Sequence, residues 1–412
     1  MTIASLESLS FGLARTAGAA AAAGHRLALL TGDRAVYRHE LAALPAGAAL
    51  DVVDVDTMDT AAVRRALDGL PGLAGLINTT DTWSVPGAEL AAAYGLPGPA
   101  PEDVRRLRDK AAVRRALHRA GVSGHTAVPV DASRPDAAAR VREAVGLPAV
   151  LKDSAGTSSR GVWIVHDEPA LRAALAEAAE LPLKGHLFAE PFLAGPLYSA
   201  ETLSWAGETR LLGVSSRQTS RTPAVREEGA AFPVALPPAD HERIARWVAR
   251  VLAAAGHDQG FAHVEFVLTA GGPELVEINR RIGGALVGEA LCRSLGTNVY
   301  EALIETALGR RPALLDAPDG GTAGPAVAFV LVYPDRPGVL EEWRGLGSLG
   351  GFPGGPEWYP VRAPGDSVTE LGDQRGCTGM VLAHAATAEL AQHRAWSAAT
   401  SVTPVMKTAD GP

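Results

Sequence analysis

Glu265-Phe266-Val267-Leu268, then Gly271-Gly272-Pro273, then Glu274-Leu275-Val276-Glu277-Ile278-Asn279-Arg280-Arg281 is the stretch whose reading decides the fold. Phe261 to Leu268 and Glu274 to Asn279 read as two short strands joined by a turn at Gly271-Gly272-Pro273. Alternate side chains of a strand share a face, so Glu277 and Asn279 point the same way, and a hairpin brings Glu265 beside them. Two carboxylates and an amide oxygen then converge, with arginines next to them. Hard oxygen donors of this kind suit Mg²⁺, which bridges a few protein oxygens and substrate phosphates, with Mn²⁺ as the alternative ion. The competing reading is a charged sheet face with Arg280 and Arg281 as surface counter-ions.

Upstream, the apolar run Pro148-Ala149-Val150-Leu151 ends on Lys152, and Asp153-Ser154-Ala155-Gly156-Thr157-Ser158-Ser159-Arg160-Gly161 follows. Small residues let backbone N–H groups approach phosphate oxygens, and the hydroxyls of Ser154, Thr157, Ser158 and Ser159 add donors. Lys152 supplies a point charge at the base of the loop. A solvated turn has the same composition. The loop is not a P-loop, because the Gly-Lys-Ser/Thr ending is missing. A literal G-x-G-x-x-G at Gly345 to Gly350 is followed by Gly351-Phe352-Pro353, which cannot open a helix, so it is no dinucleotide fingerprint.

Lys110 lies in the helical pattern Leu107 to Arg114, where by itself it is an ordinary surface lysine. His186 to Leu193 is an apolar strand with Glu190 just before Pro191. Such a segment can offer backbone groups to adenine while apolar neighbours cover the ring, or be a plain edge strand.

The 412 residues allow two to four domains, and 47% hydrophobic with 20% charged residues is an ordinary globular mix. A net charge of −8 argues against nucleic acid as a partner. Cys292 and Cys377 are the two cysteines, which excludes a disulfide framework and a cysteine zinc site and fits a reducing cytoplasm. The Ala17 to Gly24 run lacks a basic region before it and reads as a helix, not a signal peptide. No apolar run approaches the length needed to cross a bilayer.

Residues 1–105 alternate strand and helix, with strands at Arg26 to Leu30, Leu50 to Val55 and Gly75 to Asn78, and read as a small parallel α/β domain. One helix runs from Pro101 to about Gly121, with Lys110 in its body, and residues 106–185 carry most of it together with the candidate phosphate loop. Residues 186–318 hold two strands over 197–214, a polar arginine-containing loop over 216–230, a helix at Asp240 to Ala255 and the acidic hairpin. The Gly/Asp/Pro-rich stretch Asp316 to Gly324 marks a boundary, and 319–412 read as a separate α+β segment.

The order of these parts resembles the ATP-grasp superfamily over roughly residues 100–310: Lys110, Lys152 with its loop, Glu190-Pro191-Phe192-Leu193-Ala194-Gly195, Glu265, then Glu277-Ile278-Asn279-Arg280-Arg281. The resemblance implies an α/β and α+β architecture, with a parallel α/β domain preceding the ATP-grasp fold. It implies that Lys110 and Lys152 contact ATP phosphates and that Glu190, with backbone at Pro191 and Leu193, binds adenine. It further implies that Glu265, Glu277 and Asn279 hold Mg²⁺ and that Arg281 stabilises an acyl-phosphate. The continuation Arg281-Ile282-Gly283-Gly284 looks like the carboxylate–amine ligases that join amino acids into dipeptides, as does the tail from Val327 to Gly379. Those ligases often carry an acid and then a histidine before a proline. Here the region reads Arg226-Glu227-Glu228-Gly229-Ala230-Ala231-Phe232-Pro233, with no histidine, and Leu197 stands where an acid often follows the hinge glycine.

The expected chemistry is phosphoryl transfer to a carboxylate, then attack by an amine, with small-molecule substrates and no membrane partner. Arg217, Arg221, Arg226 and Glu228 are candidate substrate residues, as is His263, which shares the face of Glu265; Gly283 and Gly284 join them from the resemblance. Two alternatives stay open: the same fold with another acceptor (a carboxylase or formate-using transferase), and a nucleotide-binding subunit without turnover. A homodimer is a further open possibility.

Overall fold

The computed structural model describes residues 1–45, 47–157, 160–220, 226–317 and 324–408. Ser158, Ser159 and Arg221 therefore lie outside the described residues. The N-terminal unit is a parallel sheet of β1 (Thr2–Leu6), β2 (Arg26–Thr31), β3 (Leu50–Asp54) and β4 (Leu73–Ile77), in the order β3-β2-β1-β4. Helices α1 (Leu13–Ala22), α2 (Arg38–Ala43), α3 (Thr60–Asp68) and α4 (Ser84–Ala93) connect the strands or follow the last. The central strand β1 is absent from the sequence expectation. All of its residues are buried, so no alternation marks it, and Thr, Ala and Ser dilute the apolar run.

The expected single helix from Pro101 is two: α5 (Pro101–Arg108) and α6 (Lys110–Arg119). Asp109 breaks them. Its backbone is extended (φ −90°, ψ 97°), and its carboxylate accepts from the N–H of Ala112 as an N-cap. Lys110 thus opens a helix and does not sit in the body of one.

An antiparallel sheet follows, built from β5 (Val128–Pro129), β6 (Ala149–Asp153), β7 (Val162–Val165) and β8 (Leu187–Pro191) in the order β5-β8-β6-β7. Helices α7 (Ala137–Ala144) and α8 (Glu168–Glu180) pack on it through Val141, Leu171 and Leu175.

The large sheet has eight strands. It begins with β9 (Leu197–Trp205), β10 (Glu208–Thr219) and β11 (Glu227–Phe232), then β12 (Gly260–Thr269) and β13 (Gly272–Asn279) after helix α9 (Pro238–Ala255). Ile244, Val248 and Leu252 of α9 bury against Val264, Phe266 and Leu275. Much of the expected polar loop over 216–230 is therefore strand, and Arg217 belongs to β10. Polar residues on a half-buried face hid the alternation. Helices α10 (Val287–Leu295) and α11 (Tyr300–Ala307) then pack beneath the N-terminal unit.

The C-terminal stretch runs β14 (Ala326–Val332), β15 (Gly338–Arg344), β16 (Glu357–Pro360), β17 (Ser367–Val368), β18 (Gly379–Ala385), α12 (Ala388–Ala399) and β19 (Thr403–Lys407). It is not a separate sheet. β14 pairs with β11, and β18 and β16 extend the same sheet outward, while β15, β17 and β19 form a small sheet of their own. Among the described residues no helix is long and apolar enough to cross a membrane.

Candidate active site

The β12–β13 hairpin turns on Ala270-Gly271, since Thr269 pairs with Gly272. Counting back from that turn puts Glu265 directly opposite Glu277 and His263 opposite Asn279, with one bulge after Glu265. Cross-strand neighbours of this kind have their Cβ atoms within about 5.5 Å. Two carboxylates that close repel each other unless cations intervene, and here they do. Lys110 Nζ lies 3.1 Å from Glu277, and Arg217 Nη1 lies 3.0 Å from Glu265. Asn279 donates to Glu277 at 2.9 Å. Burial alone would raise the Glu265 carboxyl, but Arg217 and His263 outweigh it and hold the group well below the usual carboxylate range.

These residues line one cavity of about 440 Å³ together with Lys152, Glu190, Pro191, Leu193, Arg281 and Gly284. Its apolar lining comes from both flanking sheets, Val150, Val162 and Ile164 from one and Leu197, Val267 and Val276 from the other, with Phe192 between them in sequence, a composition of the kind that covers a flat ring. The charged groups share the same cavity. Hard oxygen donors opposed across a hairpin, with lysines at hand for phosphate, fit Mg²⁺ with a polyphosphate. Among the described residues there is no group of three or more His, Cys, Asp or Glu side chains placed to hold a metal ion.

The loop after Lys152 is stapled by Asp153, whose carboxylate accepts from the N–H groups of Ala155, Lys184 and Gly185. Ser154 is buried and its hydroxyl lies 3.1 Å from His186 Nδ1, so it braces the loop and does not line the cavity. Gly161 has φ +67°, a left-handed turn that favours glycine, and it too is absent from the cavity wall. Gly156, Thr157 and Arg160 line the wall instead. All three belong to the loop expected to meet phosphate, and the Thr157 hydroxyl is among the donors expected there.

Glu190 is 4% exposed, and its carboxylate is 2.5 Å from Lys152 Nζ and 2.8 Å from Arg114. Burial opposes its charge, but the two cations keep the carboxyl below its ordinary value. Arg281 is held by Asp81 of the N-terminal unit, with Nε at 3.0 Å and Nη2 at 2.6 Å from one oxygen. Burial would lower the Arg281 pKa, yet Asp81 raises it. Asp81 also lines the cavity.

His263 links the acidic hairpin to β9: Nδ1 is 2.9 Å from Glu201, and Nε2 is 2.7 Å from Arg217 Nη1. Burial, and less strongly Arg217, favour the neutral ring. The Glu201 carboxylate outweighs them and pushes the imidazole up to about 9. Gly283 packs on this ring, since a Cβ there would fall 2.7 Å from His263 Nδ1. Arg217 also reaches Glu227 at 2.9 Å, whose carboxyl is raised chiefly by burial. Gln374 of the C-terminal stretch donates to Glu227 and lines the same cavity. Arg226 and Glu228 point elsewhere. They pair with each other at 2.9 Å, and Arg226 stacks on Tyr333 and donates to the Leu371 carbonyl. Strand alternation explains the split: Arg217 and Glu227 meet on the cavity face, while Glu228 faces away.

Residues 145–289 match the ATP-grasp domain family, and residues 330–407 match the L-amino acid ligase C-terminal domain 2. The uncharacterised protein y4rH of Sinorhizobium fredii is 27% identical over 369 residues, which is 86% of this chain and 72% of that protein. Human carnosine synthase 1 is 27% identical over 262 residues, 59% of this chain, which spans only 32% of that enzyme's length. The crystal structure of the L-amino acid ligase from Bacillus licheniformis shares the fold, with a TM-score of 0.79 at 19% identity over 99% of each chain.

Proposed function

We propose, from the premise that this chain belongs to the ATP-grasp superfamily and carries the L-amino acid ligase C-terminal domain, that it is an ATP-dependent carboxylate–amine ligase. The substrate carboxylate attacks the γ-phosphorus of ATP and releases ADP. The resulting acyl-phosphate is attacked by an amine, an amino acid in our reading. Loss of a proton and expulsion of phosphate then leave an amide or dipeptide.

The observation that carries this reading is the opposed pair Glu265 and Glu277, with Lys110 3.1 Å from Glu277 and with Lys152 and Arg281 lining the same cavity. Glu265, Glu277 and Asn279 would hold Mg²⁺, which offsets charge on the transferring phosphoryl group. Lys110 and Lys152 face the phosphates, and the apolar lining, with Pro191 and Leu193, takes the adenine. Arg281 faces the oxyanion of the tetrahedral intermediate, where one such donor is worth a factor of about 10²–10³ in kcat. ATP dependence and two buried free thiols fit a reducing cytoplasm.

A screen of amino acids and other carboxylates for ADP release, with mass spectrometry of the products, tests the reading. Carboxylate-dependent ADP release with an amide product is expected. Turnover with bicarbonate or formate alone, or no turnover with any carboxylate, would overturn it.

A further inference from the structure

Helix α6 carries two cations one turn apart, Lys110 and Arg114, and neighbours at this spacing share a helix face. Lys110 reaches the Gly156 carbonyl at 2.6 Å as well as Glu277. Arg114 is different: it is 2% exposed and does not line the cavity. Its Nε donates to Glu190 Oε2 at 2.8 Å, and its Nη2 donates to the carbonyl of Leu275, two positions before Glu277 on β13. Its Nη1 has no partner among the described residues. Burying a guanidinium with an unmatched donor is costly, so packing alone does not account for an arginine here.

The other oxygen of Glu190 takes Lys152 Nζ at 2.5 Å. One buried carboxylate is thus shared by two cations, one inside the protein and one on the wall of the nucleotide cavity. A buried carboxylate stripped of its only counter-ion is strongly disfavoured. If Lys152 were that only counter-ion, an arriving phosphate would have to compete with Glu190 for it.

We propose that Arg114 is a positioning residue: as the permanent partner of Glu190, it leaves Lys152 free to turn to the nucleotide phosphates. The role rests on the ATP-dependent reading above. The three groups sum to one positive charge, which an entering phosphate matches. The same guanidinium ties α6 to the strand that carries Glu277, so the lysine at the start of α6 and that acid keep their separation.

The test is titration calorimetry with Mg²⁺ and a non-hydrolysable ATP analogue, on the parent chain, Arg114→Gln, Arg114→Lys and the double variant Arg114→Gln/Glu190→Gln. Arg114→Gln is expected to weaken analogue binding by about tenfold, within the range of coupling between members of one salt-bridge network. Arg114→Lys keeps the charge beside Glu190 but cannot also hold the Leu275 carbonyl, and is expected to bind between the parent and Arg114→Gln. The double variant removes the acid that would capture Lys152; because both Glu190 carboxylate oxygens are already taken by Lys152 and Arg114, no side-chain contact to adenine is lost with it, and binding is expected to recover to within about threefold. A purely architectural role gives no such recovery. Parent-like binding by Arg114→Gln, or a double variant as weak as the single one, would overturn the role. Should Arg114→Gln not fold, the double variant decides by the same threefold margin. A parent chain that binds no nucleotide would overturn the ligase reading and this role together, whereas normal parent binding with an indifferent Arg114→Gln overturns this role alone.

Discussion

Arg281 and Asp81, 200 residues apart in sequence, meet at 2.6 Å where the N-terminal unit closes over the acidic hairpin. The contact turns a flexible guanidinium into a fixed donor, because Nη1 is also tied to the Ile282 carbonyl at 3.1 Å. Asp81→Asn keeps the shape and removes the charge. We expect kcat to fall by about 10–100-fold, less than loss of an oxyanion donor itself, with nucleotide affinity unchanged. Phosphate release in steady state, set beside analogue titration, separates the two.

Glu277→Gln removes the proposed metal ligand, which pairs with Lys110. ATP turnover is expected to vanish while the melting temperature stays within a few degrees of the parent, because the side chain is partly exposed. Full phosphate release by the folded variant would reject the metal assignment.

Gln374 is a group of the C-terminal stretch on the cavity wall, and its partner Glu227 lies beside Arg217. Gln374→Ala is expected to raise KM for the carboxylate substrate about 3–10-fold while KM for ATP stays put, as for a contact remote from the phosphates. An effect confined to ATP would place the substrate elsewhere.

His257 supplies a pH test away from Glu265 and Glu277. Its Nδ1 accepts from Arg280 at 3.0 Å and its Nε2 is 3.2 Å from the Gly260 carbonyl, contacts that suit a neutral ring. Burial, then Arg280, depress its pKa from 6.5 to about 3. A depressed pKa contributes stability that is full above about 6.5 and is lost as pH falls toward 3, at up to about 1.4 kcal/mol per pH unit. Denaturant unfolding of His257→Gln should show a deficit against the parent at pH 7 that narrows steadily below pH 6.5. A constant deficit down to pH 4 would show that the ring does not titrate in this way.

The acidic hairpin was legible in the sequence because its parts are close along the chain. A glycine-bearing turn fixes which residues oppose one another, and strand alternation fixes which face they share, so Glu265, Glu277 and Asn279 follow from spacing. Lys152 was legible for a similar reason, at the end of a short apolar strand before a small-residue loop. Ser154 was misjudged as a cavity donor because composition cannot tell a hydroxyl that meets a ligand from one that braces its own loop against His186. The break at Asp109 was missed although an aspartate is a good N-cap, since a helix of twice the length fits the same apolar spacing.

Local sequence therefore determined which strands and turns form and which acids, lysines and arginines are offered to a site. Tertiary structure alone decided who faces whom at long range: Asp81 with Arg281, Arg114 with Glu190, Gln374 with Glu227. It also decided that Arg226, paired with Glu228, turns to Tyr333 and the Leu371 carbonyl, away from the cavity. Hydrogen bonding and alternation act over a few residues and leave a trace in the sequence pattern. Which buried charges become partners depends on how whole sheets and helices pack, and a charged residue looks the same in a sequence whether its partner is protein, substrate or water.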